Sequence, residues 1–334
     1  MYRAVTIALM LIPGLSQAEP SPELVMALKA SVVKVHTATK TGGQGVGTGV
    51  VVSQDHIATS CHVVANASGI SIRKFGESHA PVAMKADWKH DICLLKFQGL
   101  PLTPVAFGDS EKLAYEQPIF TLGFPGGGPK PQLTTGKIKA LYALDDSQIV
   151  RTSASFRMGA SGSPVLDEQG RLIAINTFKS PGRDAFFYNI PSKWVKALLE
   201  APEITLPQQE DVPFWAAPED VRPYFMRVVP PLQAENWSEL ERLSRAWTVS
   251  EPGSAEAWYH LALAYQGQGN AEQASAHFHK ALTLNHQHAA SLQQLAMQAS
   301  RAGDREGVEL ARLALNRIDA DLVEELDQSV GVVR

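Results

Sequence analysis

Ten short runs rich in β-branched and apolar residues follow one another between Glu23 and Glu200, most of them separated by Gly, Pro, Asn or Asp. They read SVVKVHTAT, GTGVVVS, HIATSCHVV, ISIRKF, DICLLKF, PIFTLGF, TTGKIKALY, SQIVRTSA, SPVLD and LIAINTF. Many short strands at a spacing of about ten residues predict a sandwich or a barrel. Only SPELVMALKASVV and PSKWVKALLE, at the two ends of this region, carry a helical texture.

Beyond Glu200 the texture changes twice. Residues 201–233 are thick with Pro and acidic residues, and neither the helical nor the strand period holds for long. They predict an extended connector, laid on a domain surface by Phe214, Trp215, Tyr224 and Phe225. From Ala234 to Arg334 the period is helical and repetitive. Ala255 to His288 spans 34 residues, with Trp258, Leu261, Ala262, Tyr265, Ala274, Phe278 and Ala281 at positions 4, 7, 8, 11, 20, 24 and 27. This pattern resembles the tetratricopeptide repeat, whose large and small positions interlock two antiparallel helices. ENWSELERLSRAWTVSEP before it resembles the second helix of an earlier repeat, and AASLQQLAMQASRAGDREGVELARLALNRI after it a weaker following one. Such arrays need about three repeats to stand alone. These helical faces are therefore expected to dock on the preceding domain, another subunit or a protein partner.

A chain of 334 residues has room for about two domains. A net charge of −4 gives no reason to expect nucleic acid, and no polybasic run seeks an anionic membrane. The first eighteen residues run from MYR through the apolar AVTIALMLIPGL to SQA. This is the order of a secretory signal peptide cut after Ala18. Twelve apolar residues make about 18 Å of helix, against a bilayer core of about 30 Å, so the segment is too short to span. The mature protein is expected in the periplasm or outside the cell, where the two cysteines, Cys61 and Cys93, can form a disulfide. The count alone leaves a pair of free thiols open.

Three segments carry the chemistry: ATSCHVV with His62, KHDICLLK with Asp91, and GASGSP with Ser161. Each alone is weak, since most turn serines and single histidines are structural. Their order His–Asp–Ser in a strand-rich chain belongs to the chymotrypsin-type arrangement. A serine hydroxyl is a poor nucleophile at neutral pH. A histidine must take its proton during attack, and an aspartate must fix that imidazole's tautomer.

Across Val32 to Ser192 the sequence resembles the trypsin-like serine proteases of the HtrA (Deg) family. The resemblance is carried by GTGVVVS, IATSCHVV, DICLLK, VAFGDSEKL, TLGFPGG, TTGKIKAL, GASGSPVLDEQGRLIAINT and NIPS, in the family's order. It implies two six-stranded antiparallel β-barrels, over residues 23–200, with His62 and Asp91 from one barrel and Ser161 from the other. The N–H groups of Gly159 and Ser161 would form the oxyanion hole, each donor being worth roughly 3 kcal/mol. The family run G-N-S-G-G-P is here GASGSP, a change that removes no catalytic group. Where the family carries small residues, this chain has AFFYNIP. Phe186, Phe187 and Tyr188 would then line a specificity pocket with Ser155 near its floor and Asn176 to Phe178 along its side. With nothing acidic at the floor, a small or medium apolar residue is expected before the cut. Because His62 and Asp91 must meet, their neighbours Cys61 and Cys93 are drawn together, which predicts a disulfide between them.

No cofactor or metal is called for. GGQGVGTG lacks the lysine and helix of a phosphate loop. His277, His279, His286 and His288 are expected as solvated polar positions. In place of the PDZ domains usual in HtrA-like proteases, the chain has its helical repeats. The reading is an exported serine endopeptidase whose repeats recruit a protein substrate or partner. The alternative is a catalytically silent scaffold or a chaperone-like binding module.

Overall fold

The computed structural model describes residues 19–39, 41–74, 76–182, 184–205 and 211–331. The expected signal peptide lies outside them. A short helix, α1 (Pro22–Lys29), opens the fold, its N-terminus capped by the Ser21 hydroxyl, which accepts from the Leu24 N–H at 3.2 Å.

The first half of the strand region forms β1 (Val32–Thr39), β2 (Gln44–Val51), β3 (His56–Ser60), β4 (Ala67–Lys74), β5 (Glu77–His79), β6 (Ala83–Asp87) and β7 (Ile92–Lys96). A four-residue helix, α2 (Cys61–Val64), follows β3. These strands make one antiparallel sheet in the order β5-β4-β1-β2-β3-β7-β6 around a core that includes Val35, Ile57, Ile72, Met84 and Leu95. The resemblance implied six strands in a closed barrel; this sheet has seven, with β5 and β6 at its edges. Two of the seven, ESH and AMKAD, carry no β-branched residue. Pairing makes them strands: β5 returns on β4, while β6 lies along β7 and buries Met84 completely.

The second half comprises β8 (Pro118–Gly123), β9 (Gln132–Leu144), β10 (Ser147–Thr152), β11 (Pro164–Leu166), β12 (Leu172–Lys179) and β13 (Phe187–Pro191). These six close into an antiparallel barrel in the order β10-β13-β12-β11-β8-β9. The helix α3 (Ser192–Leu199) packs Trp194, Val195 and Leu198 into the main core.

The connector differs from the extended segment expected. It contains α4 (Tyr224–Arg227) and α5 (Val229–Gln233). Pro223 stands just before α4, and Pro230 and Pro231 lie in the first turn of α5, where a missing N–H costs nothing. Phe214 and Phe225 are buried, and Trp215 and Tyr224 pack against the same core.

Six further helices follow among the described residues: α6 (Trp237–Ser250), α7 (Ala255–Gly267), α8 (Ala271–Leu284), α9 (Ala289–Ala302), α10 (Arg305–Ile318) and α11 (Asp321–Val330). Polar caps start several of them: Ser254, Asn270 and Asp304 each accept a backbone N–H three residues on. Leu261, Ala262, Ala274, Phe278 and Ala281 are buried, as the repeat pattern requires.

The array docks on the six-stranded barrel. Trp247 of α6, 1% exposed, shares a core with Tyr142 and Tyr188. At the same seam Glu256 accepts from the Tyr115 hydroxyl at 3.0 Å and meets His288 Nε2 at 3.1 Å, and Lys137 pairs with Asp319 at 2.7 Å. His288 therefore overturns its expected solvated position: it is 2% exposed and caps α9 by accepting the Ser291 N–H. A long apolar side chain was not needed to bury it, because Glu256 supplies the polar partner.

This seam makes the fold acid-sensitive. Burial holds the His260 imidazole neutral and pushes it down to about 4, against the attraction of Glu256. An unfolded histidine binds its proton near pH 6.5, so stability falls as pH drops from about 6.5 to about 4, by roughly 3 kcal/mol in all. Burial alone would raise Glu256, but His288 and Arg151 outweigh it and hold the carboxyl down at about 2. Its contribution is present above the unfolded value and is lost only at still lower pH. Thermal unfolding should show the midpoint dropping between pH 7 and pH 4.5, and His260→Gln should flatten that slope. An unchanged slope would contradict this assignment.

Candidate active site

His62 is the second residue of α2, where the chain turns off the end of β3. Asp91 sits in the tight turn before β7 with φ +60°, a conformation that Asp tolerates better than most side chains. Two main-chain contacts lock the turns together: the Cys61 N–H donates to the Asp91 carbonyl at 3.1 Å, and the His62 N–H to Asp91 Oδ1 at 2.8 Å. The side chains then meet, His62 Nδ1 to Asp91 Oδ2, at 2.7 Å. A carboxylate only accepts, so this contact places the proton on Nδ1 and leaves Nε2 with its lone pair. Asp91 is fully buried, and its Oδ2 takes two further donors: the Thr177 hydroxyl, and the Trp215 indole N–H at 3.1 Å.

Ser161 lies between two glycines in left-handed conformations, Gly159 at φ +91° and Gly162 at φ +88°. A Cβ at Gly162 would stand 2.0 Å from the Thr48 carbonyl oxygen, so only glycine lets this loop approach β2. Thr48 is the staple between the halves. Its N–H donates to the Ser161 carbonyl at 2.8 Å and its hydroxyl to the Gly159 carbonyl at 2.8 Å. The Asn176 carbonyl accepts from both the Gly162 N–H, at 2.8 Å, and the Ser60 hydroxyl, at 3.0 Å.

Thr177 links the two sides of the site. Its hydroxyl holds Asp91, and its carbonyl accepts from Ser161 Oγ at 3.4 Å. The Ser161 hydroxyl thus faces Thr177 and makes no hydrogen bond to His62 in this structure. Nucleophile–base bonds of this kind commonly tighten only in the Michaelis complex. The Met158 carbonyl points to the Gly126 N–H at 2.6 Å, which turns the Gly159 N–H of the same planar peptide the opposite way. Among the described residues, no acceptor meets the N–H of Gly159 or Ser161.

A family model described as a trypsin-like peptidase domain matches residues 47–175, which hold His62, Asp91 and Ser161. The chain contains a trypsin-like peptidase domain. A second model, the tetratricopeptide repeat, matches residues 255–288. A probable periplasmic serine endoprotease, DegP-like, of Chlamydia trachomatis is 29% identical over 164 residues, covering 46% of this chain and 33% of that relative. A DegP-like relative of Pseudomonas putida is 31% identical over 140 residues, covering 40% of this chain and 29% of its own length. The chain thus spans about a third of the length of these curated relatives. The peptidase domain also shares its fold with the active form of the Rv3671c protease of Mycobacterium tuberculosis, at a TM-score of 0.50 and 23% identity. That match covers 62% of this chain and 97% of the other.

Of the expected specificity residues in the peptidase domain, Ser155 is exposed at the rim of a cavity of about 100 Å³, shared with Phe156, Ala160 and Ser163. Phe187 packs on Phe156 with ring centroids 5.2 Å apart. Asn176 is 1% exposed, and among the described residues neither polar atom of its side chain has a partner. Phe178 stands apart from this group, stacked between Tyr188 and Trp215. Tyr188, expected on a pocket wall, is instead fully buried in the core, and Phe186 lies against the Arg151 guanidinium.

Cys61 and Cys93 are joined in a disulfide with Cα atoms 4.9 Å apart. It ties the start of α2 to β7, one residue before His62 and two after Asp91. For a separation of 32 residues, Cys61→Ser with Cys93→Ser should lower stability by about 3–4 kcal/mol, read as a lower denaturant midpoint. An unmoved midpoint would show that the bridge braces nothing.

In sequence Thr48 stands only in a strand run, and Trp215 only among the aromatics expected to lay the connector on a domain surface; neither is marked as a partner of the catalytic residues. The GTG run containing Thr48 was visible there as a motif, but a motif does not say which loop its hydroxyl will hold. For Trp215 only its aromatic character in a Pro-rich stretch was legible.

Proposed function

We propose that the protein is an exported serine endopeptidase in which Ser161 is the nucleophile, His62 the general base and acid, and Asp91 the residue that orients it. Ser161 Oγ attacks the scissile carbonyl while His62 Nε2 takes its proton. The N–H groups of Gly159 and Ser161 receive the oxyanion. As the tetrahedral intermediate collapses, His62 returns the proton to the leaving amine and an acyl-enzyme forms on Ser161. Water, activated by the same imidazole, then releases the acid. The observation that carries this reading is the buried Asp91 carboxylate bonded to His62 Nδ1, with Thr177 holding that carboxylate at one end and Ser161 at the other.

The relatives' printed names support peptide-bond hydrolysis in the periplasm. Among the described residues, no helix is long and apolar enough to cross a membrane. Supporting a small or medium apolar residue before the cut, Phe156 shares a cavity of only about 100 Å³ with Ser155 and is itself backed by Phe187. Digesting a denatured protein mixture and sequencing the new termini tests both claims. New termini that follow small or medium apolar residues support them; termini after charged or bulky residues, or an undigested mixture, contradict them.

The repeats are proposed to recruit a protein substrate or partner. Between α8, α9 and α10 runs a groove of about 520 Å³ lined by Leu282, Leu292, Leu295 and the exposed Leu310. Leu310→Asp should slow cleavage of protein substrates several-fold and leave hydrolysis of a short peptide unchanged. Equal losses on both substrates would remove the recruiting role.

A further inference from the structure

We infer that Trp215, which reaches the site from the connector rather than from either sheet, is a positioning residue for the catalytic pair, acting through Asp91. The inference rests on the serine-peptidase reading of His62, Asp91 and Ser161.

A fully buried carboxylate needs donors, and Asp91 Oδ2 receives three: His62, Thr177 and Trp215. Trp215 is therefore one of the groups that decide where this oxygen sits and how much of its charge faces the imidazole. The same ring stands edge-on to His62, with centroids 5.5 Å apart and planes at 90°. Its face stacks on Phe178 at 5.5 Å and 21°, so Phe178, the residue after Thr177, supports it from below. Carboxylate, imidazole and the Thr177 strand thus all touch one indole.

The segment is anchored, not draped. The Phe214 N–H donates to the Lys89 carbonyl at 2.9 Å, two residues before Asp91, and the Phe214 ring is buried against Phe178 and Phe225. The connector therefore grips the turn that presents Asp91 at two points. Neighbouring charges are spent elsewhere: Lys89 pairs with Asp145, and His90 with Asp87 and Asp145. His62 is the one titratable side chain in direct contact with the Asp91 carboxylate among the described residues. From Phe225 the contacts continue through Tyr142 to Trp247 of α6. The docked repeats and the catalytic carboxylate are in this way parts of one packed layer.

Trp215→Phe removes the N–H and keeps an aromatic ring in place. With one donor fewer, Oδ2 holds the imidazolium more tightly, and the acid limb of the kcat/KM profile should move up by roughly half a pH unit. Losing one hydrogen bond to a charged group should cost about tenfold in kcat, with KM within twofold. Adding Thr177→Val should cost more than the product of the two single losses, because both donors serve one oxygen. Thermal unfolding of each full-length variant separates these effects from loss of fold. A Trp215→Phe profile that overlays the parent, or a loss confined to KM, overturns the inference. Ser161→Ala is run beside it. If Ser161→Ala keeps the parent rate, the peptidase reading has failed; if it is inactive while Trp215→Phe matches the parent, only the role of Trp215 has.

Discussion

Ser161→Ala should leave a folded protein whose turnover of peptide substrates falls by about 10⁴-fold or more. The fold should survive because, among the described residues, Ser161 Oγ makes one long hydrogen bond, 3.4 Å to the Thr177 carbonyl, and the loop is held by backbone bonds to Thr48 and Asn176. Loss of a single 3.4 Å bond at a half-exposed position is worth well under about 1 kcal/mol. Turnover, by contrast, loses its nucleophile. What remains is binding and the oxyanion donors, which still give a small rate above that of water. Steady-state rates beside a thermal melt check both halves of the expectation. A melt unchanged with the rate unchanged would remove Ser161 from the chemistry.

Gly159→Ala carries the second large effect. At φ +91° an L side chain is strained, and its Cβ would stand 2.4 Å from the Phe124 carbonyl oxygen and 3.0 Å from the Gly127 nitrogen. Those contacts are backbone and cannot swing aside. Relief requires the 158–159 peptide to turn, and the Gly159 N–H turns with it. An oxyanion donor acts on charge that exists only in the transition state. The loss should therefore fall on kcat, by about 10²–10³-fold, with KM changed little. A KM effect alone would mean that the Gly159 N–H binds ground-state substrate and is not an oxyanion donor.

Much of the peptidase half was legible because its signals are local. Runs such as DICLLKF and LIAINTF are strands by composition, and the order His62, Asp91, Ser161 selects one topology from several. The disulfide followed from the same pairing, since whatever joins His62 to Asp91 draws Cys61 and Cys93 together. β5 and β6 were not legible because ESH and AMKAD become strands only by pairing with neighbours. The helices α4 and α5 were hidden by Pro223, Pro230 and Pro231, which punctuate a sequence although they are tolerated in a first helical turn.

Contacts between distant segments were the least visible. Thr48 reaches a loop more than a hundred residues away, and Trp215 closes on a carboxylate 124 residues earlier. No periodicity records such returns. His288 shows the same limit from the other side: four histidines in a helical stretch read as solvated. The burial of one depends on Glu256, which the repeat pattern does not single out. Tyr188 was misplaced for a related reason. It follows Phe187, which packs on Phe156, but its own ring enters a core completed by Phe225 of the connector.

The most direct measurement is covalent. The full-length protein is treated with a fluorophosphonate, and the adduct is mapped by mass spectrometry. A single adduct on Ser161, absent from Ser161→Ala and formed far more slowly in His62→Ala, is the expected result. An unlabelled wild-type protein, or labelling that persists undiminished in Ser161→Ala, would contradict the assignment of this site.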